Sequence, residues 1–220
     1  MLANAETRLP QRPPPPLGPR KSPRQGRSRA TVETIVEAAA RILEADGPDR
    51  FNTNAVARRA GVSVGSLYQY FPGKQALVAE LSRRNAEAAM AGLAAAVART
   101  EGRPVVERLR AMVAFAVAQQ GERPRLSRVL DRLEPGLELD TDEQATAPAI
   151  VAMLTPVLAP ALDPGAASPE ALAPAVGDCL ALARVLIDRA LDAGPQARAG
   201  LEERVVGALA GYLRAAGARL

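Results

Sequence analysis

The sequence predicts an all-α protein. Three observations carry this. Apolar residues recur at spacings of three and four in segment after segment, the period of a helix buried along one side. Aromatic residues make up only 3% of the 220 residues, so Ala, Leu and Val must build the core, a palette that favours helices over sheets. No segment shows the period-two alternation of a half-buried strand, and no internal repeat is present. The length allows one large domain or two small ones.

The elements follow in order. Residues 1–27 read as a disordered tail: Pro13 to Pro16 form a polyproline run flanked by Gly, Ser and Arg, without apolar periodicity. A first helix begins near Arg29, with Ser28 or Thr31 as its cap. Val32, Ile35, Val36, Ala39, Ile42 and Leu43 form its apolar face, and Gly47-Pro48 stops it. A short helix from Thr53 to Ala60, capped by Thr53, ends at Gly61. Ser63 caps a second short helix, Val64 to Tyr70, whose Leu67 and Phe71 point inward at i and i+4. Pro72-Gly73 breaks the chain. A long helix runs from Lys74 to about Arg99, and others cover about 105–120 and 124–133, before a loop at Pro135-Gly136. Segment 142–161 is apolar but carries Pro148, Pro156 and Pro160, which predicts a broken or kinked helix. A turn-rich linker at 163–169 leads to two closing helices, about 169–192 and 197–216, separated by Gly194-Pro195.

Composition narrows the function classes. The chain has no histidine, which removes the commonest general base and metal ligand and with them Ser-His-Asp, Cys-His and His-containing zinc sites. Lys21 and Lys74 are the only lysines, and no carboxylate pair stands out. No catalytic residue, metal site or cofactor is therefore expected. The single Cys179 has no internal disulfide partner, and the N-terminus lacks the apolar stretch of a secretory signal. No apolar stretch is long enough to span a membrane. The expected location is the cytoplasm. Charge is uneven: residues 1–30 carry a net +6, whereas the whole chain carries +4. The tail is either merely solvated or a DNA-contacting arm, and both readings stay open.

The informative segment is Thr53-Asn-Ala-Val-Ala-Arg-Arg-Ala-Gly61-Val-Ser-Val-Gly-Ser-Leu-Tyr-Gln-Tyr-Phe-Pro-Gly-Lys74. Two two-turn helices are joined at Gly61, where glycine permits a left-handed turn. Small Ala57 lets the second helix cross the first closely, and Leu67 plugs their shared core. These are the requirements of a helix-turn-helix, whose second helix enters the major groove. Ser63, Gly65 and Ser66 are small enough to let backbone approach phosphates and base edges. Tyr68, Gln69 and Tyr70 present hydroxyls, an amide and ring faces. Leu67 and Phe71 already define the inward side, so Tyr68 and Tyr70 do not both have a core role.

Residues 31–78 resemble the DNA-binding domain of the TetR family, through the run Gly61 to Lys74 and through Ile35, Ala38, Ala39, Leu43 and Gly47 of the preceding helix. The resemblance implies that Thr53 and Asn54 touch phosphate or sugar. It implies that Val64, Gly65, Ser66, Tyr68 and Gln69 lie in or beside the major groove, and that Tyr70 and Lys74 contact phosphate. Only Ser66, Tyr68 and Gln69 then read base edges by hydrogen bonds. Residues 31–82 hold five basic and six acidic side chains, so either the basic groups cluster on one face or the tail supplies the charge. An arm bearing Arg24, Arg27 and Arg29 would reach the adjacent minor groove.

The resemblance divides the chain into a tail (1–27), a helix-turn-helix domain (28–78) and a helical ligand-binding and dimerisation domain (79–220). It implies a homodimer on a palindromic double-stranded operator, a repressor released by a small and apolar effector, and no membrane partner. A ligand-independent or activating helix-turn-helix protein is the alternative. Met112, Phe115, Met153 and Cys179 are the candidate pocket residues. Leu180, Ala183, Ile187, Leu201, Val205 and Leu209 are the candidate dimer residues, on the apolar faces of the last two helices.

Overall fold

The computed structural model describes residues 26–133, 146–159 and 169–220. The expectations for the tail before Gly26, the loop at Pro135-Gly136 and the linker 163–168 lie outside these residues. Every described element of regular structure is helical: α1 (Gly26–Asp46), α2 (Thr53–Ala60), α3 (Val64–Tyr70), α4 (Lys74–Arg99), α5 (Val105–Glu122), α6 (Pro124–Leu133), α7 (Thr146–Leu158), α8 (Pro169–Ala193), the short α9 (Pro195–Arg198) and α10 (Leu201–Ala215). Among the described residues, no helix is long and apolar enough to cross a membrane.

Two apolar cores organise these helices. The first gathers Val32, Ile35, Ala39 and Leu43 of α1 with Val56, Ala57, Leu67 and Phe71, all buried. It also takes Leu77 and Leu81 of α4, and Leu126, Val129 and Leu130 of α6. The second joins α4, α5, α7, α8 and α10 around residues such as Leu109, Leu154, Val176, Ile187, Val205 and Leu213. Helix α4 is continuous through residue 78, so it belongs to both cores and connects them.

Several local expectations change. Ser28 and Thr31 lie inside α1 rather than at its start, because the helix already begins at Gly26. Asn52, not Thr53, caps α2: its side chain accepts from the Ala55 amide at 2.9 Å. Segment 146–158 is one helix despite its prolines. Pro148 sits in the first turn, where an amide has no helical partner to lose, and Pro156 removes one bond near the end. Its extensions to 142 and 161 lie outside the described residues. The single closing helix expected over 197–216 is instead α9 and α10, divided at Gly200, whose φ of 62° is left-handed.

Candidate nucleic-acid interface and cavity

The α2–α3 unit is built by caps and one turn. Gly61 ends α2 at φ 68°, ψ 28°, and its amide returns to the Ala57 and Arg58 carbonyls. The Ser63 side chain accepts from the Ser66 amide at 3.0 Å and starts α3. Leu67 and Phe71 are fully buried, which fixes the rotation of α3 about its axis. The same rotation turns Val64, Gly65, Tyr68 and Gln69 outward; Tyr68 is 43% exposed. Ser66 is half-buried, with its hydroxyl 2.8 Å from that of Ser63.

Neighbouring helices orient the two tyrosines. The Thr53 and Tyr68 hydroxyls lie 3.1 Å apart, which couples the start of α2 to the middle of α3. Ser28 donates to the Tyr70 hydroxyl at 3.3 Å, tying the start of α1 to the end of α3. Asn54 and Lys74 are exposed at the first turns of α2 and α4. The ten residues singled out in the sequence therefore fall on α2, α3, the cap before α3 and the start of α4.

Charge is sorted by pairing. Arg123, just before α6, forks onto Glu44 at 2.9 Å and Glu37 at 3.2 Å, both on α1. Hydrogen bonds from Arg41 and Arg123 hold the Glu37 carboxyl below its usual range. Arg84 holds Glu33 at 3.0 Å. Burial would push the Glu80 carboxyl up, but hydrogen bonds from Arg83 and Arg84 outweigh it and hold it low. Most of this domain's acidic groups are thus consumed toward α4 and α6. Arg58, Arg59 and Lys74 are exposed and make no ion pair among the described residues.

A cavity of about 1400 Å³ opens between α4, α5, α6, α7 and α8. Met112, Phe115 and Cys179 line it. Met153 is not in its wall and packs against the second core instead. The Phe115 ring lies over Gly92 of α4, where any side chain would collide with it. Burial, with the Asp178 charge beside it, pushes the Cys179 thiol up to about 11, so it stays a protonated, unreactive wall group. Ser82, Ser127, Asp131 and Arg184 also line the cavity, and sequence reasoning missed all four. Their one signal was polarity on otherwise apolar helix faces.

The candidate dimer residues lie on inward sides of their helices. Ile187, Leu201, Val205 and Leu209 are buried within the protomer, and Leu180 and Ala183 pack against the same core. The period of three and four marked the inward faces of α8 and α10. Outward-facing apolar groups on α8 are Leu182, 38% exposed, and Val185, 55% exposed. On α10 the exposed residues include Gly207, Ala208, Gly211 and Ala215.

Comparison with known proteins agrees with this architecture. Residues 35–81 match the family described as bacterial regulatory proteins, tetR family. The nucleoid occlusion factor SlmA of Vibrio vulnificus (strain YJ016) is 31% identical over 99 residues, 44% of this chain and 50% of that protein. The chain thus spans about half the length of the curated relatives it matches. A TetR-family transcriptional regulator from Streptomyces coelicolor superposes with a TM-score of 0.64 at 21% identity, covering 84% of this chain and 99% of that one. A TetR variant from Acinetobacter baumannii AYE, solved in complex with minocycline, superposes with a TM-score of 0.55 at 20% identity, covering 84% and 98%. The match at residues 35–81 falls on α1, α2, α3 and the start of α4, so this part of the chain is similar to the tetR family of bacterial regulatory proteins.

Proposed function

We propose that the chain is a cytoplasmic transcriptional repressor that binds palindromic operator DNA as a homodimer and is released by a small molecule held in the cavity. The observation that carries DNA binding is the rotation of α3. Its two large apolar residues are fully buried, and Tyr68, Gln69, Val64 and Gly65 stand outward on one short helix. Tyr68, Gln69 and Ser66 read base edges. Thr53, Asn54, Tyr70 and Lys74 hold phosphate, and Ser63 shapes the turn that lets α3 approach. Two such helices, one per protomer, address successive major grooves. The outward faces of α8 and α10, around Leu182, Val185, Gly207 and Gly211, supply the contact between protomers. Small residues on α10 allow close helix approach.

The release mechanism rests on shared helices. Helix α6 lines the cavity through Ser127 and Asp131 while Leu126, Val129 and Leu130 fill the core beneath α1. The Arg123 fork ties the same region to α1. A ligand that favours one packing of α4 and α6 thereby favours one spacing of the reading heads, a population shift between DNA-competent and incompetent dimers. The minocycline-bound TetR neighbour supports a ligand role for a fold of this kind. The likeness to a nucleoid occlusion factor favours a second reading, a DNA binder without an effector.

Binding to the chain's own upstream DNA against scrambled DNA, across a salt series, tests the proposal. A specific dimer prefers its site by at least about a thousand-fold. Tyr68→Ala lowers that ratio. Equal affinity for both DNAs, together with no fragment enriched from genomic DNA, refutes it. Enrichment without any effector that lowers affinity selects the second reading.

A further inference from the structure

Both tyrosines of α3 meet a hydroxyl from another helix, but the two pairs differ in direction. Between Thr53 and Tyr68, 3.1 Å apart, either oxygen can supply the proton. Between Ser28 and Tyr70, 3.3 Å apart, Ser28 is the donor. A serine or threonine inside a helix has a ready partner in the carbonyl one turn back. Thr34 takes it, donating to Ala30 at 2.8 Å. Ser28 has no such carbonyl within its helix, because α1 begins at Gly26. Its proton is therefore available to a neighbouring element, and α3 supplies the acceptor.

The Tyr70 ring packs against the first core at the end of α3. Its hydroxyl makes no other hydrogen bond among the described residues. A phenolic oxygen can accept and donate at once. With Ser28 on its accepting side, Tyr70 keeps its own proton for a partner outside the fold. DNA phosphate oxygens carry lone pairs and no proton, so they only accept. A tyrosine that spent its proton on Ser28 would turn a lone pair toward them. One that receives from Ser28 offers a proton, and chains of hydrogen bonds of this kind polarise and strengthen one another.

We propose that Ser28 is a positioning residue of the DNA interface: by donating to Tyr70 it leaves the phenolic proton free for a backbone phosphate. This deepens, and rests on, the reading of the chain as a DNA-binding protein, and it gives the first turn of α1 a part in a contact made by α3. A phosphate contact places the protein on the duplex without reading sequence. Ser28 therefore supports affinity and not discrimination, the reverse of the role of Tyr68.

The test uses the full-length protein, a fragment it selects from genomic DNA and a scrambled copy, titrated by fluorescence anisotropy across a salt series. Ser28→Ala should weaken binding to both DNAs by about three- to tenfold, the worth of one hydrogen bond. The ratio of the two affinities should stay the same. The salt slope should also stay the same, because no charge is lost. Tyr70→Phe keeps the ring and should weaken binding at least as much, and adding Ser28→Ala to it should change nothing further. Ser28→Thr keeps the hydroxyl and should bind like the wild type. The thermal midpoint of Ser28→Ala should stay within about 2 °C. An unchanged affinity in either single variant overturns the proposal while the DNA-binding reading stands. So does a Ser28→Ala loss that persists beside Tyr70→Phe, or a Ser28→Thr variant that binds no better than Ser28→Ala. A shallower salt slope in Ser28→Ala overturns it too, since that reports a displaced cation. If the wild type selects no fragment, both readings fall.

Discussion

Gly92→Ala is a sharp probe of how α4 meets α5. An added Cβ would stand 2.1 Å from Phe115 Cε2, 2.3 Å from Cζ and 3.2 Å from Cδ2. Carbon atoms rest about 3.5–4.0 Å apart, so the ring must retreat by about 1.5 Å. The space on offer is the cavity that Phe115 lines. Overpacking of this kind costs about 1–3 kcal/mol. Alanine in a helix interior recovers about 0.8–1.0 kcal/mol relative to glycine. The single substitution should thus lower stability by about 0–2 kcal/mol. In a Phe115→Leu background the ring is absent, and Gly92→Ala should raise stability by about 0.8–1.0 kcal/mol. A double-mutant cycle by urea unfolding reads the difference as a coupling of about 1–3 kcal/mol. Equal stabilisation by Gly92→Ala in both backgrounds would refute the reasoning, since the ring would then not be pressed against α4.

Three further outcomes are expected. Tyr68→Phe removes only the hydroxyl beside Thr53, and should weaken specific DNA binding by up to about tenfold while leaving the thermal midpoint in place; an unchanged affinity in gel-shift titration refutes its contact role. Ser63→Ala deletes the α3 cap and should cost about 1 kcal/mol, read as a fall of about 2–4 °C in Tm. Acid unfolding should expose the depressed carboxyls of Glu37 and Glu80. A lowered folded pKa stabilises fully above the unfolded value near about 4.3 and is lost as pH falls through the folded one. Stability should therefore decline below about pH 4.3, and Glu80→Gln should flatten that decline while costing stability at neutral pH; an unaltered slope by circular dichroism contradicts the pairing.

The helix-turn-helix was legible because it is governed by short-range physics. Gly61 is left-handed, Ser63 is a cap, and Leu67 with Phe71 lies inward, each as spacing and residue type required. Such features depend on neighbours three or four residues away, which the sequence displays directly. At the start of α2 the sequence pointed to Thr53, but the adjacent Asn52 is as well suited to cap and does so, while the Thr53 hydroxyl turns to Tyr68.

Periodicity also marked the buried faces of α8 and α10 correctly, but it did not say what covers them. Ile187, Leu201, Val205 and Leu209 are covered by the protomer's own helices. The same ambiguity hid the allegiance of α6, whose Leu126, Val129 and Leu130 complete the core under α1 while its polar side enters the cavity wall. An amphipathic pattern records that a face leaves water, because transfer of apolar surface is non-directional. By itself the sequence determined that the segments are helical, that Ser63 caps α3, and which residues of α3 face inward and outward. Only the tertiary structure decided which face meets which and opened the cavity between α4, α5, α6, α7 and α8, because those outcomes depend on side chains far apart in sequence packing at close range.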